Sequence, residues 1–344
     1  MRIGITYNLK DEVTPLSVLN REHNEEYDSI DTIDAICRVL KKNGFEAVKL
    51  GARLDIFDRL RKEELDFVFN VAEGYYGRNR EAIIPAILEM VNMPYSGSDP
   101  LTLGLTLDKI ISKKVFQSAK ILSPGYMIVR RLEDADVVNN SLPYPMITKP
   151  AWEGSSKGIY NSSKVNDKNE LERNIKLLLK KYDKQPILVE EYIKGREITV
   201  GVIGNDSPRI LGLMEIINKK YPGEDFFYSL EVKREWEELV DYKSPPDIPQ
   251  ALDTKIRRMA SMAFKEFGCR DIARIDFRIS EYNEPYILEI NPLPGLSPQY
   301  GDLVIMAQKQ GISYEQLIIA ILNSAFSRYD IKEFKQYIPA EVKL

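Results

Sequence analysis

Arg274-Ile275-Asp276 and Glu289-Ile290-Asn291 set charged and amide side chains two residues apart within apolar runs. Alternate side chains of a β-strand share a face, so Arg274 and Asp276 point one way together, as do Glu289 and Asn291. If residues 272–279 and 285–290 pair as a hairpin across 280–284, three oxygen donors converge beside one guanidinium. Oxygen donors without histidine or thiolate suit Mg²⁺ or Mn²⁺, which such sites usually hold together with substrate phosphates. A solvated polar face with a surface ion pair is the plainer account of any one of these residues alone. It does not account for the four together beside apolar neighbours.

Other segments carry related chemistry. Lys149 ends an apolar run and is followed by Glu153-Gly154-Ser155-Ser156-Lys157-Gly158, a loop of small residues that can aim several backbone N–H groups at one anion. This is not a Walker A sequence, and a plain glycine-serine hairpin is the alternative. Ile187-Leu188-Val189-Glu190-Glu191-Tyr192-Ile193 is an apolar strand ending in acids; Glu190 and Glu197 can accept hydrogen bonds from a ribose or an adenine amine, or be exposed strand-end glutamates. Pro292-Leu293-Pro294-Gly295 offers either a glycine N–H facing a developing oxyanion or a rigid turn.

These residues need a scaffold, and the first hundred residues supply a βαβ pattern: strands at 2–7, 47–50 and 67–70, with helices at 29–42 and 81–91. Asn43-Gly44 reads as the cap that ends the first helix. An open parallel sheet follows, in which ligands bind beyond the carboxyl ends of the strands. The segment 70–77, with Glu73, lies there and is a candidate substrate loop, the alternative being a glycine-bearing turn with no ligand. Turn formers at 94–100 mark a linker. Beyond it come a helix at 108–119, strands at 126–129 and 144–149, a helix at 167–182 and a strand at 187–192. The amphipathic helices at 303–310 and 314–326 seal the last unit. The division is 1–98, 99–189 and 190–326, with an extension over 327–344 for which the residues suggest no role.

Composition narrows the function classes. Lys+Arg 48 against Asp+Glu 52 gives a net charge of −4, with no positive field for nucleic acid or an anionic membrane surface. No apolar run reaches the roughly 18 residues that span a membrane, and no secretory leader opens the chain, so a cytoplasmic protein is expected. The single histidine, His23, sits in a polar run, which argues against a Ser-His-Asp triad. Cys37 and Cys269 cannot build a cysteine zinc site and are expected in the core. Carboxylates, lysines, arginines and backbone amides must do the chemistry.

Taken in order, Leu107-Asp108-Lys109, Lys149-Pro150 with Glu153 to Gly158, Glu190 to Glu197, Arg274-Ile275-Asp276 and Glu289 to Gly295 resemble the D-alanine–D-alanine ligase branch of the ATP-grasp superfamily, over nearly the whole chain. The resemblance implies an α/β, three-domain ATP-grasp architecture with an N-terminal Rossmann-like parallel-sheet domain, and ATP between the second and third domains. It implies phosphate-binding roles for Lys109 and Lys149, and a mobile loop over the γ-phosphate containing Ser155 and Ser156. The adenosine pocket falls on Glu190, Glu191, Tyr192, Ile193 and Glu197. Asp276, Glu289 and Asn291 match the ligands of two Mg²⁺ ions, Arg274 with the Gly295 amide the oxyanion-stabilising pair, and Lys233 the lid lysine that reaches the γ-phosphate. The implied reaction joins two amino acids through an acyl phosphate, giving ADP and phosphate, in a homodimer formed through the first domain. A nucleotide sensor without turnover is the alternative; loss of a metal ligand would favour it, and none is lost.

Substrate recognition departs from the family pattern. The family's Gly-Gly-x-Ser-x-Glu type segment after the first strand reads Thr6-Tyr7-Asn8-Leu9-Lys10-Asp11-Glu12 here, and Arg234 stands where the lid tyrosine is usual. Glu26 or Asp28 are candidates to replace the lost carboxylate, and Arg234 to bind a carboxylate or phosphate on a different substrate. The run 296–302 also departs from the usual hydroxyl-bearing segment that receives the second substrate. The donor need not be D-alanine.

Overall fold

Three sheets carry the chain in the computed structural model, which describes residues 1–10, 22–182, 185–220 and 226–331. Asp11, Glu12, the side chain of His23 and most of the 327–344 extension lie outside the described residues. The first sheet is parallel, ordered β2-β1-β3, with β1 (Arg2–Tyr7), β2 (Glu46–Lys49) and β3 (Phe67–Val71). Its two longer strands are buried on both faces, which is why they read as continuous apolar runs. Helix Ile30–Lys42 begins where the Ser29 side chain accepts from the Thr32 N–H and ends at Asn43, with Gly44 at φ +84° as expected of a helix stop.

Residues 94–100 are not an exposed linker. Tyr95 forms a parallel bridge with Val68, and Tyr95, Ser96 and Ser98 are each 1% exposed. The turn formers there close the edge of the first sheet, and Asp99-Pro100 caps a helix, Pro100–Leu107, that the apolar periodicity did not reveal.

The second sheet is antiparallel, ordered β4-β7-β5-β6, from β4 (Tyr126–Val129), β5 (Met146–Pro150), β6 (Lys164–Val165) and β7 (Ile187–Glu191). Met146, Ile187 and Val189 bury one face with helix Lys168–Lys181, and the register sets Ile147 opposite Glu190 and Lys149 opposite Leu188 on the other. The third sheet is also antiparallel, ordered β10-β9-β8-β11-β12, from β8 (Gly195–Gly204), β9 (Arg209–Asn218), β10 (Val240–Lys243), β11 (Asp271–Ser280) and β12 (Pro285–Asn291). The expected hairpin is present, its turn closed by the Ser280 N–H to the Glu284 carbonyl at 2.9 Å. Ile198, Val200, Ile275, Phe277 and Ile287 pack on helix Gln250–Glu266, so their strand neighbours are forced to the opposite face. Both cysteines are buried and free.

Helices Asp302–Lys309 and Tyr314–Arg328 do more than seal the last unit. They lie against the third sheet, where a Cβ at Gly201 would come within 2.8 Å of Leu303, and the same hydrophobic cluster continues into the first sheet. Phe326 stands edge-on to Phe67 at 4.9 Å and to Phe45 at 6.1 Å. Arg328 adds a polar tie: it donates to both oxygens of the fully buried Asp271, at 2.9 and 2.7 Å, and to the carbonyls of Tyr95 and Gly97. Arg328→Ala leaves Asp271 buried without its counter-charge and is expected to lower stability by about 3–5 kcal/mol, read by urea unfolding. A loss below about 1 kcal/mol would show that this tie is idle.

Candidate active site

One cleft is lined by strands of the second and third sheets and by the segments that follow the strands of the first. It gathers Lys109, Lys149, Ser155, Ser156, Glu190, Glu191, Tyr192, Ile193, Glu197, Lys233, Arg274, Asp276, Glu289, Asn291 and Gly295, together with Glu26, Asp28 and Glu73. Arg234 does not line it.

The third sheet forms one wall. Register places Asp276 directly opposite Glu289 and Arg274 opposite Asn291, so the four polar side chains share the face away from helix Gln250–Glu266. The Arg274 guanidinium grips Asp276 with two bonds, 3.0 and 2.8 Å, and reaches Asp302 at 3.4 Å. These carboxylates hold its proton more firmly than in an ordinary arginine, although burial acts the other way. Thr199, opposite Asp276 on β8, donates to the same carboxylate at 2.6 Å. Glu289 keeps its side chain 37% exposed in the cleft and meets Lys109 Nζ at 3.2 Å. Burial pushes its carboxyl up, but Lys109, Lys149 and Arg274 outweigh that and bring it to about 2.

The second sheet supplies the facing wall. Glu190, read as an acceptor for adenine or ribose, is fully buried, with one oxygen against Lys113 and the other against Lys149. The structure therefore makes it the counter-charge of two lysines rather than a free acceptor. Burial raises its carboxyl and the two lysines more than reverse this, whereas burial lowers Lys113 below the ordinary lysine range. Lys109 also donates to the Glu153 carbonyl at 2.7 Å. Glu191 accepts from the Gly125 N–H at 3.2 Å.

Past the strand, Arg278 organises the other predicted pocket residues. It donates to the Ile193 carbonyl at 3.0 Å, the Tyr192 hydroxyl at 3.0 Å and Glu197 at 3.3 Å. The Tyr192 ring also lies 4.1 Å from Lys164 Nζ. Burial raises the Glu197 carboxyl despite Arg278.

Ser155 and Ser156 sit at φ +50° and +58°, a left-handed pair that directs successive N–H groups to one side. Ser156 donates to the Tyr228 carbonyl at 3.2 Å, tying the loop to the segment before helix Leu230–Arg234. That helix carries Lys233, which burial pushes below its usual range beside Asp302 and Arg274. Gly295 opens on the cleft with nothing within 4 Å of a Cβ built on it.

The residues proposed for substrate divide. Glu26 is committed within the protein: it accepts from Arg80 at 3.1 and 2.6 Å and from the Gly154 N–H at 2.8 Å, and pairs with Lys157 at 2.9 Å. Arg234 is turned onto Glu25 with two bonds, 2.9 and 2.6 Å, so it faces a carboxylate of this chain. Asp28 and Glu73 remain on the cleft wall, joined by Glu81, which the sequence reading did not single out. Burial raises all three carboxyls, Asp28 and Glu81 to about 7. A carboxyl held at about 7 folded and about 4 unfolded costs stability increasingly as pH rises between those values. Asp28→Asn should therefore raise the unfolding free energy at pH 8 by on the order of 2 kcal/mol and change it little at pH 4. Equal effects at both pH values would contradict the buried charge.

Lys113, Asp302 and Glu81 were not legible as site residues. Lys113 lies four residues after Lys109 on helix Lys109–Ser118, a spacing that puts both on one face, and this was the available signal.

Comparison with known proteins adds the family. Residues 116–323 match the family described as D-ala D-ala ligase C-terminus. A D-alanine–D-alanine ligase of Carboxydothermus hydrogenoformans is 37% identical over 303 residues, 86% of this chain and 92% of the relative. An uncharacterized protein of Sinorhizobium fredii is also 37% identical, over 76% of this chain and 75% of its own. The fold matches the crystal structure of a D-alanine–D-alanine ligase from Bacillus anthracis complexed with ATP, at TM-score 0.72 and 23% identity, covering 96% of this chain and 99% of that one. The chain thus belongs to the D-alanine–D-alanine ligase branch of the ATP-grasp superfamily and is an ATP-dependent ligase.

Proposed function

We propose that this ligase activates the carboxylate of one amino acid as an acyl phosphate and joins it to the amine of a second, releasing ADP and phosphate. The observation that carries the reading is the convergence of Lys109, Lys149, Lys233 and Arg274 with Asp276, Glu289 and Asn291 in one cleft. ATP lies between the units 99–189 and 190–326. Lys109, Lys149 and Lys233 offset phosphate charge, the left-handed Ser155-Ser156 amides face the γ-phosphate, and the backbone from Glu191 to Ile193, with Tyr192 and Glu197, borders the adenosine.

The acceptor set Asp276, Glu289 and Asn291 offers oxygen alone and fits Mg²⁺, with Mn²⁺ as a substitute. When bound, two such ions would offset charge on the transferring phosphoryl group. A carboxylate oxygen of the first substrate attacks the γ-phosphorus and ADP departs. The amine of the second substrate then attacks the carbonyl carbon. Arg274 and the Gly295 N–H stabilise the oxyanion, which collapses as the C–O bond to phosphate breaks and the amine loses its proton. No enzyme nucleophile is needed, in keeping with the single histidine.

D-Alanine is the substrate named for the relatives, and D-alanyl-D-alanine is the first product to seek. Phosphate release from ATP and Mg²⁺ is measured against single and paired D- and L-amino acids, with product mass read in parallel. A dipeptide mass accompanying phosphate release supports the ligase; ATP binding without turnover on any pair would overturn it. Among the described residues no helix is long and apolar enough to cross a membrane, and ATP dependence supports a cytoplasmic reaction. A homodimer formed through the first unit, where Leu54, Phe57, Ile83 and Met90 are among the exposed apolar side chains, would be tested by sedimentation.

A further inference from the structure

Where the cleft meets the first sheet, its wall holds more carboxyl groups than the protein supplies with cations. Glu26 and Glu153 are balanced by Arg80 and Lys157: Lys157 meets Glu153 at 2.6 Å and Glu26 at 2.9 Å, and Arg80 holds Glu26. Glu81, in the turn Arg80–Ala82, is 7% exposed and lines the cleft, yet its carboxylate has no hydrogen-bond or ion-pair partner among the described residues. The carboxylates of Asp28 and Glu73 likewise receive no bond there. Of the nearby cations, Lys109 is held by Glu289 and the Glu153 carbonyl, which leaves Lys10 beside Asp28.

Three separate pieces of backbone fix these carboxylates. Asp28 is anchored by N–H and C=O bonds to Asn8 and Lys10, both 3.1 Å. Glu73 precedes Gly74, whose φ is +72° and whose N–H donates to Asn8 Oδ1 at 2.8 Å. A Cβ at Gly74 would collide with the Arg80 carbonyl, so glycine lets the Glu73 loop close on the Glu81 turn. A buried carboxyl without a counter-ion is held toward its protonated form, and a cation brought beside it by a ligand restores the carboxylate as an ion pair. Lys10 and the α-ammonium of a bound amino acid match two of the three.

We infer that the amino acid bound at this end of the cleft carries a second cation, a side-chain ammonium or guanidinium, received among Asp28, Glu73 and Glu81. The inference rests on the ligase reading only in taking the ligand to be an amino acid. It makes specificity a matter of charge: a neutral side chain of equal length leaves a carboxylate unmatched.

Calorimetry on the full chain, with Mg²⁺ and a non-hydrolysable ATP analogue, compares lysine, ornithine and arginine with norleucine and alanine in both chiralities. At least one dibasic amino acid is expected to bind about tenfold or more tighter than the neutral amino acids of the same chirality. Glu81→Gln and Asp28→Asn should each shrink that ratio, with folding verified by melting temperature. Equal or tighter binding of the neutral amino acids, no binding of any dibasic one, or a ratio untouched by both substitutions would overturn the inference. Phosphate release on the same panel reports separately: a dibasic preference in binding without turnover on any pair leaves the charge recess standing and removes the ligase reading.

Discussion

Glu289→Gln is expected to leave the fold intact and to lower ATP-dependent turnover at least about a hundredfold, the loss that goes with a few kcal/mol of transition-state stabilisation. Its side chain is 37% exposed in the cleft and makes no packing contact that an amide of the same size would forfeit. The charge is what changes. With its carboxyl at about 2, Glu289 is ionised at every pH at which the enzyme would be assayed, and it stands opposite Asp276 across the hairpin. Neutralising it removes a negative donor from the proposed Mg²⁺ site and releases Lys109. Turnover measured against Mg²⁺ concentration, with circular dichroism as the control for folding, decides the matter. Near-native activity at ordinary Mg²⁺ would take Glu289 out of the metal site.

Glu190→Gln acts on a different quantity. Lys113 and Lys149 are 1% and 7% exposed, and the carboxylate between them is their shared counter-charge. The amide leaves two ammonium groups facing each other in the interior, and a loss of about 3–5 kcal/mol is expected. The pH dependence distinguishes this from a simple packing defect. In the native protein the Glu190 carboxyl is held below its ordinary range, so its contribution is complete above the unfolded carboxylate value and is lost as pH falls through the folded one. In the variant that acid-side loss disappears. Burial already favours neutral Lys113, so the variant should instead gain stability as pH rises toward the lysine range. Unfolding free energies at pH 6 and pH 9 test the sign: a variant no more stable at pH 9 than at pH 6 would contradict the shared-charge account.

What the sequence disclosed follows from the range of the forces involved. The β11–β12 hairpin and its polar face were legible because period-two spacing and a short turn are local properties. The strands of the first sheet were legible from apolar runs. Glu190 was visible as a strand-end acid, but whether it faces a ligand or two lysines depends on Lys113, 77 residues away on another element. Arg234 looked available because its partner, Glu25, lies 209 residues earlier. Glu81 falls at the start of the helix expected over 81–91, and only the fold sets it near Glu73 and Asp28. Residues 94–100 have the composition of a linker, and only the bridge to Val68 shows them as part of a sheet.

The last described helix also bears on how the chain is made. Phe45 and Phe67 belong to the first sheet and its approach, yet the ring that covers both is Phe326. A ribosome adding about 5–20 residues per second needs on the order of 10–50 s to travel from one to the other. Through that interval the nascent first sheet lacks its cover, and the apolar surface of Phe67 stays open to chaperones or to other chains. The N-terminal unit is written first and finished last, so a chain halted before residue 314 would emerge with an open seam where the full chain has a core.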